Sequence, residues 1–197
     1  TFEETLAANI IGTHNVFEAA VRGGVERIVY ASSHHAVGFT PRGACPIDHR
    51  KFPRPDGEYG LSKAYGEAAA AYYVDNFARR ILTIRIGYVG EEVITERRLH
   101  TWSSPRDLEQ LIHIGLTHPD LHHEIVYGAS QAESPFFDNS NAFRLGYKPR
   151  DRAIDHVRKN EILTEIPDLE TISGGVIGGG FAEIGFKGNP GTVLSRP

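Results

Sequence analysis

Apolar positions along the chain predict helices that alternate with short buried strands. Residues 2 to 22 carry apolar side chains at helical spacing and end at two glycines, and residues 26 to 31 form an apolar run typical of a strand buried on both faces. The same alternation continues, with helices predicted over 58 to 79, from Pro105 onward and near 138 to 146, and strands over 81 to 86 and 124 to 128. This order predicts an α/β fold in which a parallel sheet has helices on both faces.

Two stretches lack such a period. Residues 38 to 57 contain four prolines and mixed charges, which is typical of a long loop. From about residue 160 the chain becomes rich in glycine, and its run GGVIGGG has neither the GxGxxG spacing nor the following helix of a phosphate-binding loop. We therefore predict one domain over 1–160 and a flexible glycine-rich tail over 161–197.

Composition limits the classes of partner and the cellular compartment that the chain suits. The 197 residues suit one domain, and 21 Lys and Arg against 25 Asp and Glu give a net charge of −4, which argues against nucleic acid or an anionic membrane as the main partner. The longest apolar run, Ala68 to Val74, is far shorter than the roughly 18 residues of a membrane span. A single cysteine and the lack of a signal-peptide pattern predict a soluble protein of the cytoplasm. Because the chain has no methionine, we expect a processed product or a fragment.

Histidines at positions 118, 122 and 123 form the densest group of possible metal ligands. Pro119 interrupts their spacing, and no cysteine or suitably spaced carboxylate accompanies them. We predict a surface turn here and no metal site.

Tyr59 and Lys63 are four residues apart on a predicted helix, so both side chains lie on one face. Chance alone predicts about 0.2 such pairs from eight tyrosines and five lysines, and an exposed helical pair is the simplest interpretation. The neighbouring sequence favours a functional role for the pair, because Ser33 follows a buried strand at the edge of the sheet where ligands bind.

Together these groups suit the removal of a proton from an alcohol whose carbon loses a hydride. A phenol is a poor base at neutral pH because its reference pKa is about 10, and a nearby ammonium favours the phenolate. Lys63 would supply that ammonium and would also hold the ribose hydroxyls of a nicotinamide cofactor. Ser33 would orient the reacting oxygen with a hydrogen bond.

Six sequence blocks, in order, resemble the extended short-chain dehydrogenase/reductase family. They are VYASSHHAVGF, RPDGEYGLSKAYGE, LTIRIG, RRLHTWSSPRDL, EIVYGASQ and FFDNS. The similarity runs from residue 1 to about 150 and is greatest to the NAD-dependent uronate dehydrogenases. It implies a Rossmann-like sheet. Members of the family begin with a strand and a glycine-rich turn that bind NAD, and the chain lacks this segment, so we expect the N-terminal half of the sheet to be missing and the strand at 26–31 to have an open edge.

The resemblance implies a catalytic tetrad of Asn9, Ser33, Tyr59 and Lys63. Tyr59 would be the base, Lys63 its activator and a ribose ligand, and Asn9 would help to hold a proton-relay water. Ile86 would lie at the nicotinamide end of the cofactor.

The resemblance also implies a uronate-binding set: Ser33, His34, His35, Tyr88 and Arg97. Arg97 offers a planar fork that suits a carboxylate. Two positions depart from the uronate dehydrogenases, which have Ser-Asn-His where this chain has Ser33-His34-His35, and serine where it has Tyr88. Tyr88 is much bulkier than serine and would reshape the pocket.

The function implied is NAD-dependent oxidation of a uronate at its anomeric carbon to the lactone. Alternatives are a hexose or hexose-phosphate dehydrogenase that binds its substrate through Arg97 and Arg98, a sugar epimerase, and a non-catalytic truncated binding module. We expect a homo-oligomer that pairs through helices 2–22 and 58–79.

Overall fold

The computed structural model describes residues 2–158 and 167–196. Helix α1 is continuous and consists of α-helical Phe2–Thr5, a π-helical turn Leu6–Ile11 and α-helical Gly12–Arg22. The other helices are α2 (Glu58–Phe77), α3 (Arg98–Thr101), α4 (Pro105–Thr117), α5 (Ser140–Arg144), α6 (Ile172–Gly175), α7 (Gly180–Glu183) and α8 (Pro190–Leu194). The strands are β1 (Arg27–Ser33), β2 (Arg80–Ile86), β3 (Tyr88–Val89), β4 (Trp102–Ser103) and β5 (His123–Gly128).

The main sheet is parallel and has the strand order β1-β2-β5. Helix α2 connects β1 to β2, and α4 lies between β2 and β5 in the chain. The register places Ser33 beside Ile86 and Ile86 beside Gly128, so the carboxyl ends of all three strands meet at one edge. The predicted α/β class is confirmed.

Both faces of this sheet are covered. Strand β2 is buried from Ile81 to Arg85, as expected for a central strand. One face packs on α4 and α5 through Leu82, Ile84 and Leu111, and the other packs on α1 and α2 through Phe17 and Tyr73. Among the described residues β1 pairs only with β2, which leaves the open edge that the sequence predicts.

Helix boundaries follow local chemistry. Helix α4 begins as predicted, with Pro105 in its first turn and the Ser104 hydroxyl accepting a hydrogen bond from the Asp107 amide. Helix α2 ends two residues before the predicted boundary because Ala78 adopts the left-handed conformation, with φ of 52°.

The glycine-rich segment differs from its prediction. Residues 167–196 form three short helices around the buried residues Ile172, Val176 and Ala182, and the segment is bonded to the long loop by Ile177 N to Thr40 O and Gly178 N to Gly38 O, each 2.9 Å. The prediction of a flexible tail is therefore wrong for these residues, because their glycines permit close packing on the loop. The boundary at 160/161 lies outside the described residues.

Within 2–158 and 167–196 no helix is both long and apolar enough to cross a membrane. The same ranges contain no group of three or more His, Cys, Asp or Glu side chains arranged to hold a metal ion.

Candidate active site

Tyr59 and Lys63 lie in the first turns of α2, next to the carboxyl end of β1. The Lys63 ammonium donates a hydrogen bond to the Ala31 carbonyl at 2.8 Å and lies 5.5 Å from the centre of the Tyr59 ring. Burial lowers the pKa of Lys63. Tyr59 is 42% exposed and lines a cleft of about 830 Å³, so its phenol is accessible while a cation lies beside it.

Ser33 and Ile86 end neighbouring strands at the same edge of the sheet. The Ser33 hydroxyl accepts a hydrogen bond from the His35 amide at 3.2 Å and so caps the 3-10 turn His34–Val37. Ile86 lies beside Ser33 in the register. The structure thus brings both predicted residues to the edge that Tyr59 and Lys63 approach.

Asn9 lies in the π-helical turn of α1, and such turns often mark functional sites. Its side-chain amide donates to the Ser62 hydroxyl at 3.0 Å, and Ser62 in turn donates to the Tyr59 carbonyl at 2.7 Å. Asn9 is therefore tied to the backbone of Tyr59. Ser62 gave no sequence signal apart from its place between Tyr59 and Lys63.

His34 uses both ring nitrogens within the protein. Nδ1 lies 3.1 Å from the Ile86 carbonyl, and Nε2 lies 3.1 Å from Nη1 of Arg97. Since a guanidinium can only donate, these partners assign the proton to Nδ1 and leave the lone pair of Nε2 for Arg97. Burial, with His35 and Arg97 nearby, holds the pKa of His34 well below its ordinary value. In this structure His34 supports Arg97 and offers no free nitrogen to a ligand.

Arg97 is a cation without a carboxylate partner among the described residues. Its Nη1 donates to the Ile177 carbonyl at 3.1 Å in addition to His34. Burial, and then Arg42 and Arg98, lower the pKa of its guanidinium. Asp56 and Glu96 act on this partly buried charge only from beyond ion-pair distance, so the arrangement leaves the guanidinium able to bind an anionic ligand directly.

Tyr88 is covered on one face. The guanidinium carbon of Arg98 lies 3.5 Å from the centre of its ring, a close cation–π contact. Tyr88 also packs with Val93 and Trp102. The stacked pair adds a second guanidinium near Arg97, a feature that the sequence suggested only through the adjacency of the two arginines.

His35 pairs with a residue that sequence reasoning missed as a functional one. Its Nδ1 lies 2.6 Å from Oδ2 of Asp56, and the two side chains are only 11% and 3% exposed. The His35 ring lies 6.0 Å from that of Tyr59 and 4.9 Å from that of Phe181. Asp56 stands in a Pro-Asp-Gly sequence, which indicates a turn and gives no sign of a buried carboxylate.

Comparisons with known proteins identify the family to which this chain belongs. The model of the NAD dependent epimerase/dehydratase family matches residues 1–116. Uronate dehydrogenase from Pseudomonas putida is 46% identical over 150 residues, which cover 76% of this chain and 56% of that protein. The NAD-dependent glucose-6-phosphate dehydrogenase of Haloferax volcanii is 34% identical over 83% of this chain and 68% of its own length. The crystal structure of a mutant uronate dehydrogenase from Agrobacterium tumefaciens complexed with NAD is 37% identical, with a TM-score of 0.82 over 89% of this chain and 66% of that one.

A parallel sheet covered by helices, with a tyrosine and a lysine one helical turn apart at its carboxyl edge, defines a Rossmann-like fold of the dehydrogenase type. The chain belongs to the NAD dependent epimerase/dehydratase family. It spans little more than half the length of the Pseudomonas putida uronate dehydrogenase.

Proposed function

We propose that the protein oxidises a uronate at its anomeric carbon to the lactone with NAD as the hydride acceptor. The observation that carries this proposal is Arg97, a guanidinium without a carboxylate partner among residues 2–158 and 167–196, held by His34 beside Ser33. A sugar acid would supply a carboxylate in direct contact with Arg97 while its anomeric hydroxyl faces Tyr59. The similarity to uronate dehydrogenases supports the same substrate class.

The described residues fit the nicotinamide-ribose part of the cofactor. Ala31 is exposed although it lies in β1, which leaves free surface beside the Lys63 ammonium. Lys63 and Tyr59 would hold the ribose hydroxyls, and Ile86 would lie against the nicotinamide. When bound, NAD supplies the acceptor for the hydride.

Tyr59 would take the proton of the anomeric hydroxyl, and the Lys63 ammonium would stabilise the phenolate that does so. Ser33 would donate a hydrogen bond to the same oxygen and fix its direction. Asn9, through Ser62, would hold the backbone at Tyr59 and so keep its ring in place.

We expect that Arg97→Met discriminates between acidic and neutral sugars. Loss of a charged hydrogen bond costs about 1.5–3 kcal/mol, so the KM for glucuronate should rise roughly 10- to 100-fold. Glucose, which lacks the carboxylate, serves as the matched substrate, and its kcat/KM should change little. Steady-state NADH absorbance measures both, and an equal loss with the two sugars would contradict the role of Arg97.

The proposed activity is tested by incubating the purified protein and NAD with a panel of sugars. NADH absorbance with glucuronate or galacturonate is the expected result. No NADH with any uronate, from protein that binds NAD by calorimetry, would overturn the substrate assignment.

A hexose phosphate is the second candidate substrate. Arg42, Arg97 and Arg98 line a cleft of about 570 Å³, and Nη1 of Arg98 is buried without a hydrogen-bond partner. Such a group of guanidiniums suits a phosphate dianion as well as a carboxylate. The same panel therefore includes glucose 6-phosphate, and a higher kcat/KM for it than for glucuronate would favour this alternative.

We also propose a homo-oligomer of the cytoplasm that pairs through α1 and α2. Large apolar side chains are exposed on both helices, at Ile11 and Val16 of α1 and at Leu61, Tyr65 and Tyr72 of α2. Val16→Lys combined with Tyr65→Lys should convert the oligomer to a monomer in sedimentation velocity. Val25→Lys, at an exposed apolar position before β1, is the control; a wild-type protein that is monomeric at micromolar concentration would contradict the pairing.

A further inference from the structure

His35 and Asp56 form a buried, hydrogen-bonded pair next to the site, and the proposed reaction assigns no proton step to either residue. The two bonded atoms, Nδ1 and Oδ2, are 2.6 Å apart, and both side chains are almost enclosed. The buried carboxylate of Glu67 pairs with a guanidinium, whereas that of Asp56 pairs with an imidazole.

The His35 ring is held in one orientation. The ring of His34 lies 4.1 Å from its centre on one side, and that of Phe181 lies at 4.9 Å. Tyr59 presents an edge at 6.0 Å. Nδ1 is taken by Asp56, whereas Nε2 has no hydrogen-bond partner among residues 2–158 and 167–196 and is not one of their fully buried polar atoms. Nε2 is therefore the nitrogen available to a ligand beside Tyr59.

Three glycines from separate segments make room for this pair. A Cβ atom at Gly38 or at Gly178 would collide with Oδ2 of Asp56, and one at Gly60 would collide with the His35 carbonyl. Gly178 also bonds through its amide to the Gly38 carbonyl. The loop, the start of α2 and the glycine-rich segment thus enclose the Asp56 carboxylate. A salt link that only joined two loops would not need close backbone approach from three segments.

A carboxylate can only accept, so the proton between the two residues belongs to Nδ1 of His35. In the singly protonated imidazole this places the lone pair on Nε2. We infer that Asp56 is a positioning residue that fixes His35 in this tautomer, so that Nε2 accepts a hydrogen bond from a hydroxyl of the sugar bound beside Tyr59. The identity of the ligand rests on the proposed function, whereas the tautomer does not.

The tautomer is read directly from imidazole nitrogen shifts in protein labelled with 15N-histidine. We expect a protonated Nδ1 and an unprotonated Nε2 for His35, whose signals are assigned by their loss in His35→Gln. Asp56→Ala should release the ring into a mixture of both tautomers. A proton on Nε2 in the wild-type protein, or an unchanged signature in Asp56→Ala, would overturn the inference whether or not the protein oxidises uronates.

Glucuronate oxidation gives the second readout. Asp56→Asn and His35→Gln should each lower kcat/KM about 3- to 10-fold, the loss expected for one hydrogen bond between neutral groups. The double variant should lose no more than either single variant, because the two residues act as one unit. If the losses of the two single variants add in the double variant, His35 and Asp56 act independently and the inference is wrong.

The matched control is Asp151→Asn. Asp151 is similarly buried, with a side chain 8% exposed, and lies 3.6 Å from Nε2 of His156, away from the site. This variant should lower Tm without changing kcat/KM. If the wild-type protein forms no NADH with any uronate, the proposed function fails and the nitrogen shifts still decide the role of Asp56.

Discussion

Tyr59→Phe should abolish NADH formation from glucuronate while leaving the fold intact. Removal of the hydroxyl deletes the group that takes the proton, and loss of a general base costs roughly 10²- to 10⁴-fold in rate. The ring itself stays, and at 42% exposure its hydroxyl contributes little to packing, so Tm should not change. Initial rates of NADH absorbance together with a thermal melt measure the two effects.

Tyr72→Phe is the control for that experiment. Tyr72 lies on the same helix, is 52% exposed and packs on Tyr73 and Phe77, so this substitution removes the same atom away from Lys63 and keeps the ring that the proposed pairing surface uses. Its activity should equal that of the wild-type protein. A Tyr59→Phe protein that retains a tenth or more of the wild-type kcat would contradict the assignment of Tyr59 as the base.

Arg85→Met should cause the largest loss of stability. Arg85 and Glu67 form a buried ion pair of 2.8 Å with side chains 2% and 5% exposed, and Glu67 also accepts a hydrogen bond from Ser32 at 2.6 Å. Removing the cation leaves a buried carboxylate without its counterion, which costs about 3–5 kcal/mol in the free energy of unfolding. In a chain of this length the loss corresponds to a fall in Tm of roughly 10 °C.

A second substitution separates charge from packing. Arg85→Met combined with Glu67→Met removes both charges and should recover much of the lost stability, because apolar side chains of similar size can replace a buried pair. Arg152→Met breaks the exposed contact with Glu133 and should leave Tm unchanged. If the single Arg85→Met variant has the Tm of the wild-type protein, Arg85 is not the counterion on which the stability of buried Glu67 depends, and the prediction is wrong.

Sequence periodicity was sufficient to predict the sheet and the helices that cover it. Four of the six residues in the run ILTIRI are apolar, and the strand it forms is central and buried. Its two polar residues are Thr83 and Arg85, and Arg85 is buried through Glu67, a partner that lies one helical turn beyond Lys63 and cannot be inferred from the local pattern. Long-range pairs of this kind depend on the packed structure.

In the candidate site, too, the residues with a local sequence signal were predicted and those that depend on tertiary contacts were not. Tyr59, Lys63 and Ser33 follow from a helical spacing and a strand end, and the structure places all three at one edge of the sheet. Asp56 and Ile177 were missed because each acts through tertiary contact, Asp56 on His35 and Ile177 on Arg97. The glycine-rich segment was misjudged because a low-complexity composition resembles disorder when its packing partner is unknown.

The enclosure of Asp56 by Gly38 and Gly178 limits how the protein can be recombined with its relatives. A chimera that exchanges residues 167–196 introduces a foreign side chain at 178 unless the donor also has glycine there, and that side chain would displace the carboxylate. Directed evolution of substrate preference in this protein should therefore exchange the loop around Asp56 and the C-terminal segment together, so that both always come from the same parent.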